Sequence, residues 1–209
     1  NIFENMEQRL GAGKFPNWIG PQRFGATRPV TPVVGRAVIS DNWEDAVNSY
    51  LGMPGIQQND DVVEFRKHWR ESGNVDECLE IIPKHLGFER DMLKHLQRKP
   101  EDWLGAFRKL PNNLQLMMVH SLQSEAFNRI IAARLDAGLT LTDPIPGDIV
   151  GMVQENGKID MAKLVEVEPD IQPRIQRNCR RGRLAVTAAL PGAESQYTDS
   201  VPGEIERNV

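Results

Sequence analysis

The 209 residues hold 29 acidic and 25 basic side chains, for a net charge of −4, with 40% hydrophobic residues. That length buries the core of one or two domains, and the mild acidity excludes a uniformly basic nucleic-acid coat. Only two cysteines, Cys78 and Cys179, are present, which excludes a disulfide framework, and no His/Cys spacing suits a metal site.

The distribution of charge says more than its sum. Arg9, Lys14, Arg23, Arg28 and Arg36 outnumber Glu4 and Glu7 in residues 1–40. Residues 171–189 hold Arg174, Arg177, Arg180, Arg181 and Arg183 with no acid. Between these basic segments the middle of the chain is strongly acidic, so the two ends are candidates to face a polyanion together. The competing reading is that the later arginines complement a helix C-terminus. No apolar run reaches transmembrane length, and the two lone thiols suit a reducing, cytoplasmic setting without membrane contact. His68, His85, His95 and His120 fall in expected helices without a carboxylate cluster.

Residues 2–10 place Ile2, Phe3, Met6 and Leu10 on one helical stripe that stops at Gly11-Ala12-Gly13. Starting without methionine and in mid-helix, the chain is expected to be a piece of something longer. Residues 15–25 pack Pro16, Pro21, Gly20, Gly25, Asn17, Phe15, Trp18 and Phe24 into eleven positions, a shaped loop with neither helix nor regular strand. Residues 28–37, with Pro29 and Pro32, read as irregular or extended. Ser40-Asp41 is expected to cap a helix over 43–51, and Asn59-Asp60 opens a second to Arg70. A third spans 76–82, a fourth follows Pro83, and a fifth runs over 103–110. Trp43, Trp69 and Trp103 read as core residues of this bundle. Pro111 starts the longest helix, to about Leu135, with Gly138 as its stop.

Beyond it the period changes. Residues 149–153 read as a strand, Asn156-Gly157 as a hairpin turn, and Ile159, Met161, Leu164 and Val165 as the returning strand. A basic helix follows Glu168-Pro169-Asp170 to about Arg181, and residues 184–189 read as strand again. The fold class expected is α+β, a helical middle with a small mixed sheet near the C-terminus.

One run carries a resemblance. Pro16-Asn17-Trp18-Ile19-Gly20-Pro21-Gln22-Arg23-Phe24-Gly25 resembles the Pro-Asn-Tyr-Phe-Gly-x-Gln-Arg-Phe-Gly motif of the TruD family of tRNA pseudouridine synthases. His120-Ser121-Leu122-Gln123-Ser124-Glu125-Ala126-Phe127-Asn128-Arg129 is similar to the family's His-Ala-Tyr-Gln-Ser-Tyr-Leu-Phe-Asn-Arg signature. Pro146-Gly147-Asp148, Ala188-Ala189-Leu190-Pro191-Gly192 and Pro202-Gly203-Glu204-Ile205-Glu206 also recur in TruD-like sequences, in this order.

The resemblance implies a TruD-like fold of archaeal type. Residues 1–40 would belong to the catalytic core and 41–209 to the inserted TRUD domain, with 41–138 mainly helical and 139–209 α/β. It implies an isomerase, turning uridine into pseudouridine in tRNA, expected at uridine 13 of the D-arm, with no cofactor and no metal. The nucleotide must leave its stack for the enzyme to reach it. Asn17 matches the asparagine expected beside the flipped base and the catalytic aspartate. Ile19 stands where the family has a base-packing phenylalanine, with Trp18 as the alternative surface. Arg23, Arg28, Arg174, Arg177, Arg180, Arg181 and Arg183 are the candidates for RNA backbone. No aspartate here has the family's Gly-x-Lys-Asp context, so that nucleophile is expected upstream and the chain alone is expected to be inactive. Two alternatives stay open: a non-catalytic RNA-binding module and a helical protein-interaction domain.

Overall fold

The computed structural model describes residues 16–193 and 195–209. The stripe over residues 2–10, its glycine stop, and Phe15 lie outside the described residues. Two compact units make up the described chain: residues 19–125, and residues 16–18 together with 126–193 and 195–209.

The first unit is helical. It comprises a 3₁₀ turn (Pro21–Phe24), α1 (Thr31–Ile39), α2 (Trp43–Gly52), α3 (Asp60–Ser72), α4 (Val75–Ile81), α5 (Gly87–Arg98), α6 (Trp103–Phe107) and the first part of α7 (Asn112–Asp136). The polar side chains before these helices explain where they start. Asn42 accepts from the Asp45 amide at 3.1 Å, Asn74 from those of Asp76 and Glu77, and Asp102 from that of Gly105 at 2.9 Å. Gly73, at φ +60°, ends α3 by donating to the Trp69 carbonyl. The inward stripes of these helices meet in one core of Val34, Val47, Leu51, Phe65, Met92 and Leu93. Each such burial stabilises by about 1.5–3 kcal/mol. Trp69 lies in that core, and Trp43 tilts onto Phe107 with ring centroids 5.4 Å apart.

Two expectations change here. Residues 31–39 are α-helical, because Pro32 falls in the first turn, where a missing N–H breaks no helical bond. The cap of α2 is Asn42, not Ser40-Asp41, since its side chain is the one that reaches Asp45.

The second unit holds a three-stranded sheet in the order β2-β1-β3, with β1 (Ile149–Val153), β2 (Ile159–Glu166) and β3 (Leu184–Val186). Both pairings are antiparallel, where a mixed sheet was expected. The β1–β2 hairpin closes through Gly157 at φ +77°, with Gln154 and Lys158 bonded across it. The chain then passes through α8 (Gln172–Arg180) and returns on the free edge of β1, Val150 facing Val186. Ile175 and Cys179, one turn apart on α8, bury against Val150 and Val167. A last helix, α9 (Val201–Arg207), opens with Ser200 accepting from the Gly203 amide and Pro202 in its first turn. It was not among the expected elements.

Candidate nucleic-acid interface

Asn17 is exposed and Trp18 is 42% exposed, whereas Pro16 before them is buried and accepts from the Trp18 amide at 2.8 Å. These three residues belong to the sheet-bearing unit. In the helical unit the chain continues from Ile19, which is half-buried, through Gly20, whose carbonyl accepts from the Arg23 amide at 3.1 Å. Pro21 pre-sets the 3₁₀ turn, and Gly25 closes it at φ +85°. A side chain at Gly25 would press its Cβ to 2.3 Å from the Arg28 carbonyl, so this position admits glycine alone.

Arg23 is held from two sides. Its Nε donates to Ser124 Oγ on α7 at 3.3 Å, and its carbonyl accepts from Thr31 Oγ1 on α1 at 3.1 Å. The structure therefore joins two runs that lie a hundred residues apart in sequence.

Arg28, one of the RNA-backbone candidates, is half-buried. Its guanidinium turns inward, lying 5.2 Å over the Tyr50 ring, donating to the Tyr50 carbonyl at 3.0 Å and standing 3.8 Å from Glu89. Burial, followed by the neighbouring Arg66, lowers its pKa to about 10. Arg66, 3% exposed, donates to Glu89 at 3.0 Å and to the Tyr50 and Leu51 carbonyls, while Arg70 donates to that of Gly52. Three guanidiniums thus satisfy the last carbonyls of α2, which have no helical partners of their own. Arg66 and Glu89 were missed in the sequence, yet a signal was there. Arg66 falls four residues after Val62 and three before Trp69, a charge set in an apolar stripe, and Glu89 precedes Met92 in the same way.

The arginines of the second unit face outward. Arg174, Arg177 and Arg181 share one side of α8 and its end, opposite the buried Ile175 and Cys179, and Arg183 follows on the turn; all four are exposed. Arg180 is also exposed and donates to Asp143 at 2.9 Å.

Also in this unit, Arg134 and Asp148 form a buried two-pronged pair, Nη1 to Oδ1 at 2.6 Å and Nη2 to Oδ2 at 2.8 Å. Arg134 Nε donates to the Thr140 carbonyl, and Asp148 accepts from the Ile145 amide. Beside them Glu206 accepts from the Ala189 amide at 3.0 Å, along a cleft of about 30 Å³ shared with Gly147, Thr187 and Pro202. Burial pushes the Glu206 carboxyl above its ordinary value, partly offset by the Ala189 N–H. The Pro-Gly-Asp, Ala-Ala-Leu-Pro-Gly and Pro-Gly-Glu-Ile-Glu runs, separate in sequence, meet here. Thr198 donates to the Gly147 carbonyl at 3.0 Å, and a Cβ on Gly203 would lie 1.9 Å from the Thr198 carbonyl. Among the described residues, no group of three or more His, Cys, Asp or Glu side chains is placed to hold a metal ion, and no helix is long and apolar enough to cross a membrane.

The class that this arrangement defines is α+β, mostly helical with a small antiparallel sheet. The family model described as TruD, tRNA pseudouridine synthase D, matches residues 1–209, and the chain belongs to that family. It is 37% identical over 208 residues to a protein of Methanosarcina mazei and 37% identical over 199 residues to one of Halobacterium salinarum, each named "Probable tRNA pseudouridine synthase D". These alignments cover 100% and 93% of this chain but 48% and 46% of the relatives. The crystal structure of a Methanosarcina mazei TruD protein superposes with a TM-score of 0.90 at 36% identity, covering 99% of this chain and 47% of that one. The chain therefore spans about half the length of the relatives it matches.

Proposed function

We propose that this chain is part of a tRNA pseudouridine synthase, in which Asn17 stands beside a uridine extruded from the RNA. Family membership gives the reaction class, and the exposure of Asn17 on a loop braced by Pro16 and Pro21 is the observation that carries the assignment. The reaction breaks the bond from C1′ to N1 and makes one from C1′ to C5. The C5 hydrogen leaves as a proton and N1 gains one, so the reading calls for no cofactor. An amide offers both donor and acceptor, which suits the polar edge of uracil. Uridine 13 of the D-arm is the position the family resemblance favours. Trp18 is the exposed ring of the loop and the better stacking surface than the half-buried Ile19.

The nucleophilic aspartate is not among these 209 residues in its family context, so catalysis belongs to the full-length protein and this chain alone is inactive. Residues 1–40 are assigned to the catalytic core and 41–209 to the inserted domain by resemblance; the two units described above divide the chain by packing. The cytoplasm, where tRNA is met, is the setting that a chain with only two cysteines suits.

The test uses full-length protein and tRNA labelled with tritium at uridine C5, whose release follows the reaction. Asn17→Ala is expected to lower kcat by roughly tenfold or more. Unchanged turnover and unchanged tRNA affinity would end the assignment. The outward arginines of α8 favour a second reading, an RNA-binding module without chemistry, which predicts salt-sensitive tRNA binding and no tritium release by the full-length protein.

A further inference from the structure

The arginines of α8 face outward only at one roll of the helix on its sheet, and the buried side of the helix is too narrow to set that roll alone. We infer that Gln172 and Gln176 are positioning residues, which seat on the Pro144 carbonyl and so turn Arg174, Arg177 and Arg181 out as one surface for RNA phosphates. The inference rests on the reading in which these arginines meet RNA, and every residue in it belongs to the sheet-bearing unit.

With about 100° between successive residues, α8 and its two flanking residues sort into three lengthwise stripes. Ile171, Ile175 and Cys179 form the first and pack against Val150 and Val167. Of these three, only Ile175 and Cys179 are buried. Two anchors one turn apart set the line of a helix, but they make a thin seam about which it can roll. The second stripe removes that freedom. Gln172 Nε2 donates to the Pro144 carbonyl at 3.3 Å, and Gln176 Nε2 to the same oxygen at 3.1 Å. Pro144 is almost wholly buried, and the two lone pairs of its oxygen match two amide donors. Arg180 continues the stripe to Asp143, but an exposed bridge adds little, so the glutamines carry the restraint.

The oxygen they meet is itself held on both sides. Arg134 Nε donates to the Thr140 carbonyl at 2.8 Å, and the Asp143 amide donates to Thr140 Oγ1 at 2.9 Å. On the far side the Ile145 amide donates to Asp148, the partner of Arg134, and the Gly147 amide to the Val167 carbonyl, both at 2.8 Å. The roll of α8 is thereby referred to the buried Arg134–Asp148 pair. The third stripe follows from the other two. Arg174, Arg177 and Arg181 are exposed, and no acid interrupts residues 171–181. Their steps of three and four residues advance by about 4.5 and 6 Å along the axis, a row of cations that one RNA strand meets in turn. A roll of the helix keeps the charge and loses the row.

The test replaces Gln172 and Gln176 by methionine, singly and together, in the full-length protein. Methionine is close to glutamine in length, has no amide to donate and changes no charge. Binding of tRNA is measured across a salt series, KM and kcat by tritium release, and folding by thermal unfolding. The double variant is expected to weaken tRNA binding roughly fivefold and to lower the salt slope by about 1, with the loss in KM rather than kcat. In a background where Arg174, Arg177 and Arg181 are all glutamine, the same two methionines should cost nothing further, because the side chains they position are gone. The inference is overturned if folded variants bind with the parent's affinity and slope, or if the loss is equal in both backgrounds. Should the double variant not fold, Gln176→Met alone decides by the same two comparisons. The arginine background separates the two claims. If it leaves the slope of the parent, the RNA reading of α8 falls; if it lowers the slope while the methionines are silent, only the positioning role falls.

Discussion

Glu89 shows how much a single carboxylate holds in this protein. It is buried, 3.0 Å from Arg66 and 3.8 Å from Arg28, and among the described residues it is the one acid paired with these two guanidiniums, which are themselves spread over the end of α2. Two donors in the cluster, Arg28 Nη1 and Arg66 Nε, have no hydrogen-bond acceptor among the described residues, so the site already carries more cation than its neighbours satisfy. Removing one member of a buried pair costs about 3–5 kcal/mol because the other is left charged and dry. Glu89→Ala leaves two in that condition. It is expected to destabilise by about 3–5 kcal/mol in urea unfolding, and a loss below about 1 kcal/mol would mean the arginines find water once the carboxylate is gone. At the same scale, sequence fails where partners are remote. Arg28 sits in a basic segment, yet the carboxylate its guanidinium meets is Glu89, sixty-one residues away. The irregular stretch around Asn17, by contrast, was legible, because proline and glycine announce a loop from within the loop.

The element-scale features sort in the same way. Helices were readable wherever an opening signal and an apolar stripe coincide, as in α3 with Asn59 before it and Val62, Phe65 and Trp69 within it. The exception was α1, where two prolines in a short stretch suggested extended chain and Pro32 in fact occupies the first turn. α9 escaped for a related reason: its opening Val-Pro-Gly reads as a turn, and only the Ser200 cap marks a helix. That helix carries a testable dependence on pH. Glu206 faces Asp148, which raises its pKa, and Arg134 and the Ala189 N–H, which lower it, but burial dominates and the net direction is upward. A carboxyl whose folded-state pKa is raised favours the folded state while protonated. That contribution is complete below the unfolded value of about 4.3 and is lost as the pH climbs through the folded value. Glu206→Gln keeps an oxygen for the Ala189 amide and cannot ionise. It is expected to match the parent Tm at acid pH and to exceed it near neutrality by about 1–3 °C. A variant that is less stable at neutral pH would show that the charge is needed by Arg134.

For the molecule as a whole, the proposed contact with RNA has to be reconciled with a net charge of −4. The answer lies in where the cations stand. Arg28 is spent inside the helical unit, and Arg23 is tied to Ser124, so the basic count near the start of the chain overstates its free charge. On α8 the reverse holds. Arg174, Arg177, Arg181 and Arg183 are exposed, and Arg180 gives up little, since its exposed bridge to Asp143 is worth roughly 0–1 kcal/mol. The bland account, in which these arginines only complement a helix C-terminus, makes them worth about 0.3–1 kcal/mol each in stability and nothing in binding. The RNA account makes a different prediction. Each phosphate neutralised contributes roughly 0.7–0.9 to the slope of log affinity against log salt. Replacing Arg174, Arg177 and Arg181 together by glutamine in the full-length protein should therefore reduce that slope by about 2–3 and leave kcat at saturating tRNA close to the parent value. If the slope holds while only the Tm moves, the arginines serve the helix, and the RNA reading of this face falls.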